Sequence, residues 1–499
     1  MKNAILRLSA LMLAVCLIAG IPLAYAADGF SYAYTYTYDY WGDLRESPDA
    51  YRVKSFLTSS DLGLDKALSN PQGLFVQGDD MYIVDTGNNR ILQLHHDNGL
   101  YTVTRIIDSF QGDIEPLTFS APQDVYVTEE GTLFIADTSN NRILKLDKDL
   151  NLLETFLKPV DATFDQSMSY LPTKLVADVS GRVFTLAQNV NKGLIKYEAD
   201  GSFTGFIGAS PVKYTWYELI WRFLSTKEQR AQQASFVPTE YDNIAIDEKG
   251  FFYVVTQTFD ENELNAGTAE PVRRLNSLGT NILIENGNWW VVGDVQWATA
   301  DMNISRTGSS KFVDITVLKN DIYVCMDETH NRLFGYDSQG NLLWAFGGVG
   351  NALGFFNKPA AIDHMGYDLI VLDSQAAALT VLTPTTYGLD IYKATELYDC
   401  GEYDQSAQMW LEVLKQNGNY DLAYIGIGRS KLQAGEYEDA CFYFKMARDK
   451  KNYSEAFRYY RSELVEENIG WIFGIVAAAL IIPLAIGKIK KIKWEVENS

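Results

Sequence analysis

Basic residues, cysteine and histidine are all scarce in this chain, and each shortage removes a class of function. Lys and Arg number 42 against 64 Asp and Glu, for a net charge of −22. Nucleic-acid recognition needs a basic footprint, so nucleic acid is excluded as a partner. Four cysteines among 499 residues give no disulfide framework. Cys16 stands in an N-terminal leader, Cys325 in an apolar strand-like run, and Cys400 and Cys441 in helical segments; buried free thiols are expected. The four histidines are His95, His96, His330 and His364. His95 and His96 share a strand-like run, where neighbours point to opposite faces, so they cannot chelate one metal together. There is no Gly-x-Ser-x-Gly, no His-Glu-x-x-His and no phosphate loop. Catalysis therefore has little support.

Apart from its two ends, the chain reads as globular, with 47% hydrophobic residues and a length that calls for two or more domains. Lys2 and Arg7 precede the apolar run Leu11–Leu23, and Ala24-Tyr25-Ala26 is a small-x-small cleavage site. Residues 1–26 are expected to be a secretory signal peptide. Residues 469–487, from Ile469 to Gly487, carry no charge, which is enough helix to cross a bilayer core of about 30 Å. Lys488, Lys490, Lys491 and Lys493 follow at once, so the tail 488–499 is expected on the cytoplasmic side. Trp471 is placed as an outer interfacial anchor and Pro483 as a kink.

Between the ends stands a repeat. Asp85-Thr86-Gly87-Asn88-Asn89-Arg90-Ile91-Leu92 returns at Asp137 as Asp-Thr-Ser-Asn-Asn-Arg-Ile-Leu, and more weakly at Asp327 as Asp-Glu-Thr-His-Asn-Arg-Leu-Phe. Each copy is a strand end, a polar turn and a new strand. Such a unit cannot bury its apolar face alone, so copies must pack on each other. Six segments share the pattern, starting at Pro71, Pro122, Pro172, Tyr241, Phe312 and Pro359. Radial repetition of small sheets describes a β-propeller. The residues resemble the NHL repeat family, with Pro-x-Gly-apolar, a strand ending in Asp, then Asn-x-Arg-apolar. Blades one and two match closely and blade five well. Blade three has lost the Asp, blade four the whole turn, and blade six has Ala377 and Ala378 where Asn and Arg stood. The resemblance implies a six-bladed propeller over residues 49–385. Blade six ends without a fourth strand, and the run Tyr51–Leu57 is predicted to supply it, covering an edge that otherwise invites aggregation. In the segment 27–48, Phe30 to Trp41 alternates aromatics with small residues and reads as a strand packed along the propeller.

Residues 387–466 change to helical periodicity. Gly401-Glu402-Tyr403 and Gly435-Glu436-Tyr437 lie one tetratricopeptide (TPR) period apart. Tyr424, Ile427, Gly428, Ala440, Phe444 and Ala447 fall where that family, which they resemble, places its packing residues. A last helix from Tyr453 to Glu466 is expected to cap the pair and run into the membrane span as a short stalk.

Two sets of residues are candidates for a site. In the repeated turns, Asp85, Asn89, Arg90, Asp137, Asn141, Arg142, Asp327, Asn331 and Arg332 have a sufficient structural reading. The Asp accepts turn N–H groups, the Asn tolerates left-handed backbone, and the Arg pairs with a nearby carboxylate. The departures from the repeat point more to function. Residues 209–237 hold Trp216 and Trp221 in a helix-like stretch. The enlarged turn from Phe259 to Pro271 holds Asp260, Glu261 and Glu263. Residues 285–310 hold Trp289, Trp290 and Trp297. Blade geometry sends all three insertions to one side of the ring. Tryptophan suits binding surfaces and stacks on sugars, against the plainer reading of a lid packed on itself. The acidic turn offers ligands to Ca²⁺ or another divalent ion, against a solvated acidic loop.

The fold expected is mainly β: a six-bladed NHL-like propeller, an α-helical TPR domain and one C-terminal transmembrane helix. The function expected is that of a cell-membrane protein with an extracellular ectodomain, whose propeller binds a carbohydrate or protein while its helices dock a membrane complex in nutrient uptake or the cell envelope. A lactonase- or lyase-like, metal-dependent propeller enzyme is the alternative. No cofactor is predicted.

Overall fold

The structure, a computed structural model, describes residues 35–498 except 162, 165, 168, 210–240, 257–262, 265–266, 288–289 and 296–307. The chain divides into two compact units. One holds the chain up to Tyr38 and Gly42–Leu389; the other holds Asp39–Trp41 and the chain from Asp390 onward.

The first unit is a six-bladed β-propeller. Three strands come first: β1 (Thr35–Tyr38), β2 (Leu44–Glu46) and β3 (Tyr51–Thr58). Blade one is β4 (Gly73–Gln77), β5 (Asp80–Asp85), β6 (Arg90–Asp97) and β7 (Leu100–Ile107). Blade two is β8 (Asp124–Val127), β9 (Leu133–Asp137), β10 (Arg142–Leu146) and β11 (Leu152–Phe156). Blade three is β12 (Pro172–Ala177), β13 (Val183–Ala187), β14 (Leu194–Tyr197) and β15 (Phe203–Ile207). Blade four has β16 (Asn243–Ile246), β17 (Phe252–Val255) and β18 (Val272–Leu275). Blade five is β19 (Phe312–Val317), β20 (Tyr323–Asp327), β21 (Arg332–Tyr336) and β22 (Leu342–Gly347); blade six is β23 (Pro359–Met365), β24 (Asp368–Asp373) and β25 (Ala378–Pro384). The first strands β4, β8, β12, β16, β19 and β23 each touch the next, and β23 returns to β4, closing the ring.

Burial explains the strand sequences. The second strands β9, β13, β20 and β24 lie between neighbours within the blade and between blades, so they are almost wholly buried and read as continuous apolar runs. The outer strand β7 faces water on one side and alternates. Between blades six and one, Leu74, Ile83 and Leu92 pack with Ile370, Leu372 and Leu379 in one cluster. Blade six is completed by β3, with Ser55 opposite Val381 and Leu57 opposite Leu379. The strand predicted before blade one therefore closes the ring, for the reason given.

Blades four and five depart from the four-strand pattern. In blade four the bridge between Leu275 and Asn281, and the Ile282 N–H donating to Arg274 at 2.7 Å, mark where a fourth strand begins and is not continued. Blade five gains two strands: β1 pairs with β22, Tyr36 opposite Ala345, and β2 pairs with β1. The aromatic segment thus forms a strand over Thr35–Tyr38, while residues 30–34 lie outside the described ones. Trp41 belongs to the second unit, where the Arg448 guanidinium stands 4.1 Å from its ring centre and the Tyr40 N–H donates to Asp421.

That C-terminal region has six described helices: α1 (Thr386–Asp399), α2 (Tyr403–Gln416), α3 (Asp421–Gln433), α4 (Tyr437–Met446), α5 (Lys450–Glu467) and α6 (Ile469–Glu497). Gly401 and Gly435 follow α1 and α3 with φ of +83° and +82°, the left-handed backbone that ends a helix cheaply only at glycine. Gly428 lets α3 approach α4, since a Cβ there would meet the Phe444 ring at 2.7 Å. Asp449 caps α5 by accepting the Asn452 N–H at 3.0 Å. Asn468 alone separates α5 from α6, a 29-residue helix that is exposed throughout and contains an 18-residue stretch of mean hydropathy 2.5. The lysines from Lys488 to Lys493 lie within it. Cys325 and Cys441 are buried, but Cys400 is exposed, contrary to expectation. It sits at the end of the α1 turn, past the packed face.

Candidate functional site

In each blade the connection from strand two to strand three, and the connection to the next blade, emerge on one side of the ring. The repeated turns lie there. In blade two, Asp137 accepts from the Ser120 N–H at 2.7 Å, from Asn140 Nδ2 at 2.9 Å and from Arg142 Nε at 2.8 Å. Arg142 also donates to the Pro116 carbonyl at 2.5 Å. Blade one repeats this with Asp85, Ser69, Asn88 and Arg90. Asn89 and Asn141 take φ of +55° and +58° and end the turn. The asparagine that binds the aspartate is thus the first of the pair, and the second supplies the left-handed backbone. The side chains of Asp85 and Asp137 have no exposed surface. They tie each turn to the segment before it.

Blade five is wired differently. Asp327 accepts from Lys311 N–H, Thr329 N–H, His330 N–H and Ser310 Oγ, and His330 Nδ1 lies 3.1 Å from it. Arg332 turns instead to Asp294, which lies in the 285–310 insertion. Tyr36 donates to both Asp294 oxygens at 2.7 and 2.8 Å, and Tyr38 donates to the same carboxylate. Asn331 keeps the left-handed conformation, φ +52°, and donates to Phe356 at 2.7 Å. Burial and then the charge of Asp294 hold the Tyr36 and Tyr38 hydroxyls well above their ordinary range. Burial opposes the Arg332 charge, but the Asp294 carboxylate paired with it outweighs that and keeps the guanidinium firmly protonated. This cluster fastens β1 to blade five. Only the alternating tyrosines hinted at it, because Asp294 is distant in sequence and no motif marks it.

Of the residues chosen from the insertions, Trp290 and Glu263 are described; Trp216, Trp221, Trp289, Trp297, Asp260 and Glu261 lie outside the described residues. Trp290 is 42% exposed. Its indole covers Gly267, whose missing Cβ makes the approach possible. Leu264, Ala269 and Val292 form a small cluster with Val295 beneath. The described parts of the blade-four turn and of the 285–310 insertion therefore pack on each other, as the lid reading has it, with Trp290 partly exposed.

The ring axis carries a second polar set. Gly73, Asp124, Lys174, Asn243, Asp314 and Ala361 occupy equivalent positions in blades one to six, each paired with a residue at or next to the end of strand two. Asp124 Oδ2 accepts the Leu175 N–H of the next blade at 2.9 Å, and Asp314 Oδ2 accepts that of Ile362 at 2.8 Å. Asp314 also accepts from Asn243 Nδ2 at 2.5 Å. One layer on, Asp363 accepts the Val76 N–H at 2.7 Å and the Thr316 hydroxyl at 3.0 Å. Burial pushes the Asp124 carboxyl up to about 6 and Asp314 up to about 7, against the pull of Lys174 and the backbone donors. Reading the repeats in register would have exposed this layer, since each residue stands two places after a blade's first residue. Among the described residues no group of three or more His, Cys, Asp or Glu side chains is spaced to hold a metal ion.

No protein-family model and no curated protein matches the chain. Solved structures resemble it. Virginiamycin B lyase from Staphylococcus aureus aligns over 64% of this chain and 80% of its own, at 13% identity and a TM-score of 0.36. A Bacteroides thetaiotaomicron protein of unknown function aligns over 68% and 78%, at 12% identity and a TM-score of 0.41. The extracellular domain of a hybrid two-component system from B. thetaiotaomicron aligns over 68% and 43%, at 12% identity and a TM-score of 0.35. At such identities the likeness is one of fold alone.

Proposed function

We propose that this protein is a membrane-anchored binding protein of the cell exterior. An NHL-like propeller captures a carbohydrate or protein on its elaborated face, and TPR-like helices dock a membrane complex. A signal peptide over residues 1–26 would export the chain and α6 would retain it. The observation that carries the reading is α6: 29 residues, with an 18-residue stretch of mean hydropathy 2.5 in which no residue is buried, set one residue from the helices before it. A helix that apolar left bare in water is unfavourable, and a bilayer is the medium that suits it. The exposed indole of Trp290 supports the binding face.

The test is a glycan array and a pull-down from solubilised membranes, comparing the protein with a Trp289→Ala/Trp290→Ala variant. Loss of about 2 kcal/mol, roughly thirtyfold in affinity, is expected for a buried anchor. Unchanged capture of the same partner by the variant refutes this face as the binding surface.

A further inference from the structure

The axial cluster has a charge imbalance that the ring's architecture does not need. Asp124 on β8 and Asp314 on β19 are 8% and 6% exposed. One ammonium, Lys174 on β12, acts on both. Asp363 on β23 adds a third carboxylate, with His364 Nδ1 3.3 Å from it and 2.8 Å from the Thr316 hydroxyl. Behind Asp314 lies the buried Cys325 thiol on β20, itself held neutral by burial and by Asp314. The remaining neighbours in the layer, Gly73, Asn243 and Ala361, carry no charge. Three carboxylates thus stand against one lysine and one histidine; Asp124 and Asp314 are buried, while Asp363 and His364 are partly exposed.

We propose that the Asp124–Lys174–Asp314 cluster makes the propeller proton-responsive, so that the ring holds more tightly in mildly acidic surroundings than in alkaline ones. Every latch in question joins one blade to the next: Asp124 to β12, and Asp314 to both β16 and β23. Protonating one carboxyl leaves its carbonyl oxygen free to accept the backbone N–H and removes a buried charge that Lys174 cannot balance twice. Both carboxyls sit above the ordinary range, near 6 and 7. A folded-state value raised above the unfolded one stabilises below the unfolded value and loses that contribution as pH rises through the folded value. The loss therefore runs from about pH 4, the ordinary aspartate range, to about pH 7, with stability falling as pH rises.

The experiment is unfolding of the full chain in detergent at steps between pH 5 and 8, alongside Asp314→Asn and Lys174→Met. The folded-to-unfolded ratio is expected to fall about tenfold for the unit between pH 6 and 7. Asp314→Asn flattens the slope, and Lys174→Met steepens it by leaving the carboxylates unbalanced. A protonated-carboxyl infrared band that grows as the unmodified native protein is acidified from pH 8 checks the same point without a variant. A flat or rising wild-type profile, or the absence of that band at pH 5.5, overturns the proposal.

Discussion

Replacing Asp137 with alanine should destabilise the propeller by about 4 kcal/mol. The carboxylate accepts three hydrogen bonds, from the Ser120 N–H, Asn140 Nδ2 and Arg142 Nε. Its loss leaves the Arg142 guanidinium, whose side chain is 3% exposed, with carbonyl oxygens and the Phe110 ring but no anion. Stranding a buried charge costs about 3–5 kcal/mol, and an unpaired buried N–H costs about 1–3 kcal/mol. The two overlap, because the turn can relax, so the sum is not expected. Removing Arg142 as well, as Asp137→Ala/Arg142→Met, takes away the stranded charge and should recover about half of the loss. Asp85→Ala should cost less, since the Arg90 side chain is 10% exposed and water can reach it. Urea unfolding followed through the fully buried Trp344 measures all four proteins. A loss below about 1 kcal/mol, or a double variant as unstable as the single one, would refute the view that these turns hold the blades together.

Further outcomes follow from other sites. Ala377 has φ +50° where the closer copies carry asparagine, so Ala377→Asn or Ala377→Gly should raise stability by about 1 kcal/mol, read as a higher melting temperature. Tyr36→Phe removes the hydroxyl shared by both Asp294 oxygens. It should cost about 1–2 kcal/mol and speed proteolysis before residue 42, seen on a limited-digestion gel. Gly428→Ala puts a methyl against the Phe444 ring at 2.7 Å. Overpacking of about 1–3 kcal/mol should outweigh the gain in helix propensity and lower the helical unit's melting temperature. Deleting residues 51–58 removes the outer strand of blade six and should yield an aggregating protein in size-exclusion chromatography.

Much of the propeller is legible in the chain because its order is local. A repeated Asp-Thr-x-Asn-Asn-Arg turn joins adjacent strands, and strand two is buried on both faces wherever it occurs, so its composition is the same from blade to blade. The missing fourth strand of blade six points to Tyr51–Leu57 for the same reason, because an open edge must be filled. The helical region is readable from the change to helical periodicity after residue 387. The third turn shows where this ends. Asp327 and Arg332 match the motif, yet Arg332 binds Asp294, and His330, at the position of Asn88 and Asn140, lies beside Asp327. Blade four likewise lost its turn signature in the sequence, but its third-strand end and unfinished fourth strand are visible only in the pairing of Leu275 with Asn281.

The sequence by itself determined the number of blades, the strand that closes them, the helical region and the apolar C-terminal helix, since each depends on a period, a spacing or a count. Tertiary structure alone decided that Tyr36 and Tyr38 converge on Asp294, and that Asp124, Lys174 and Asp314 share one layer on the axis. Those contacts join residues tens to hundreds of positions apart. Which carboxylate meets which cation there depends on the closing of a ring, and no local pattern encodes it.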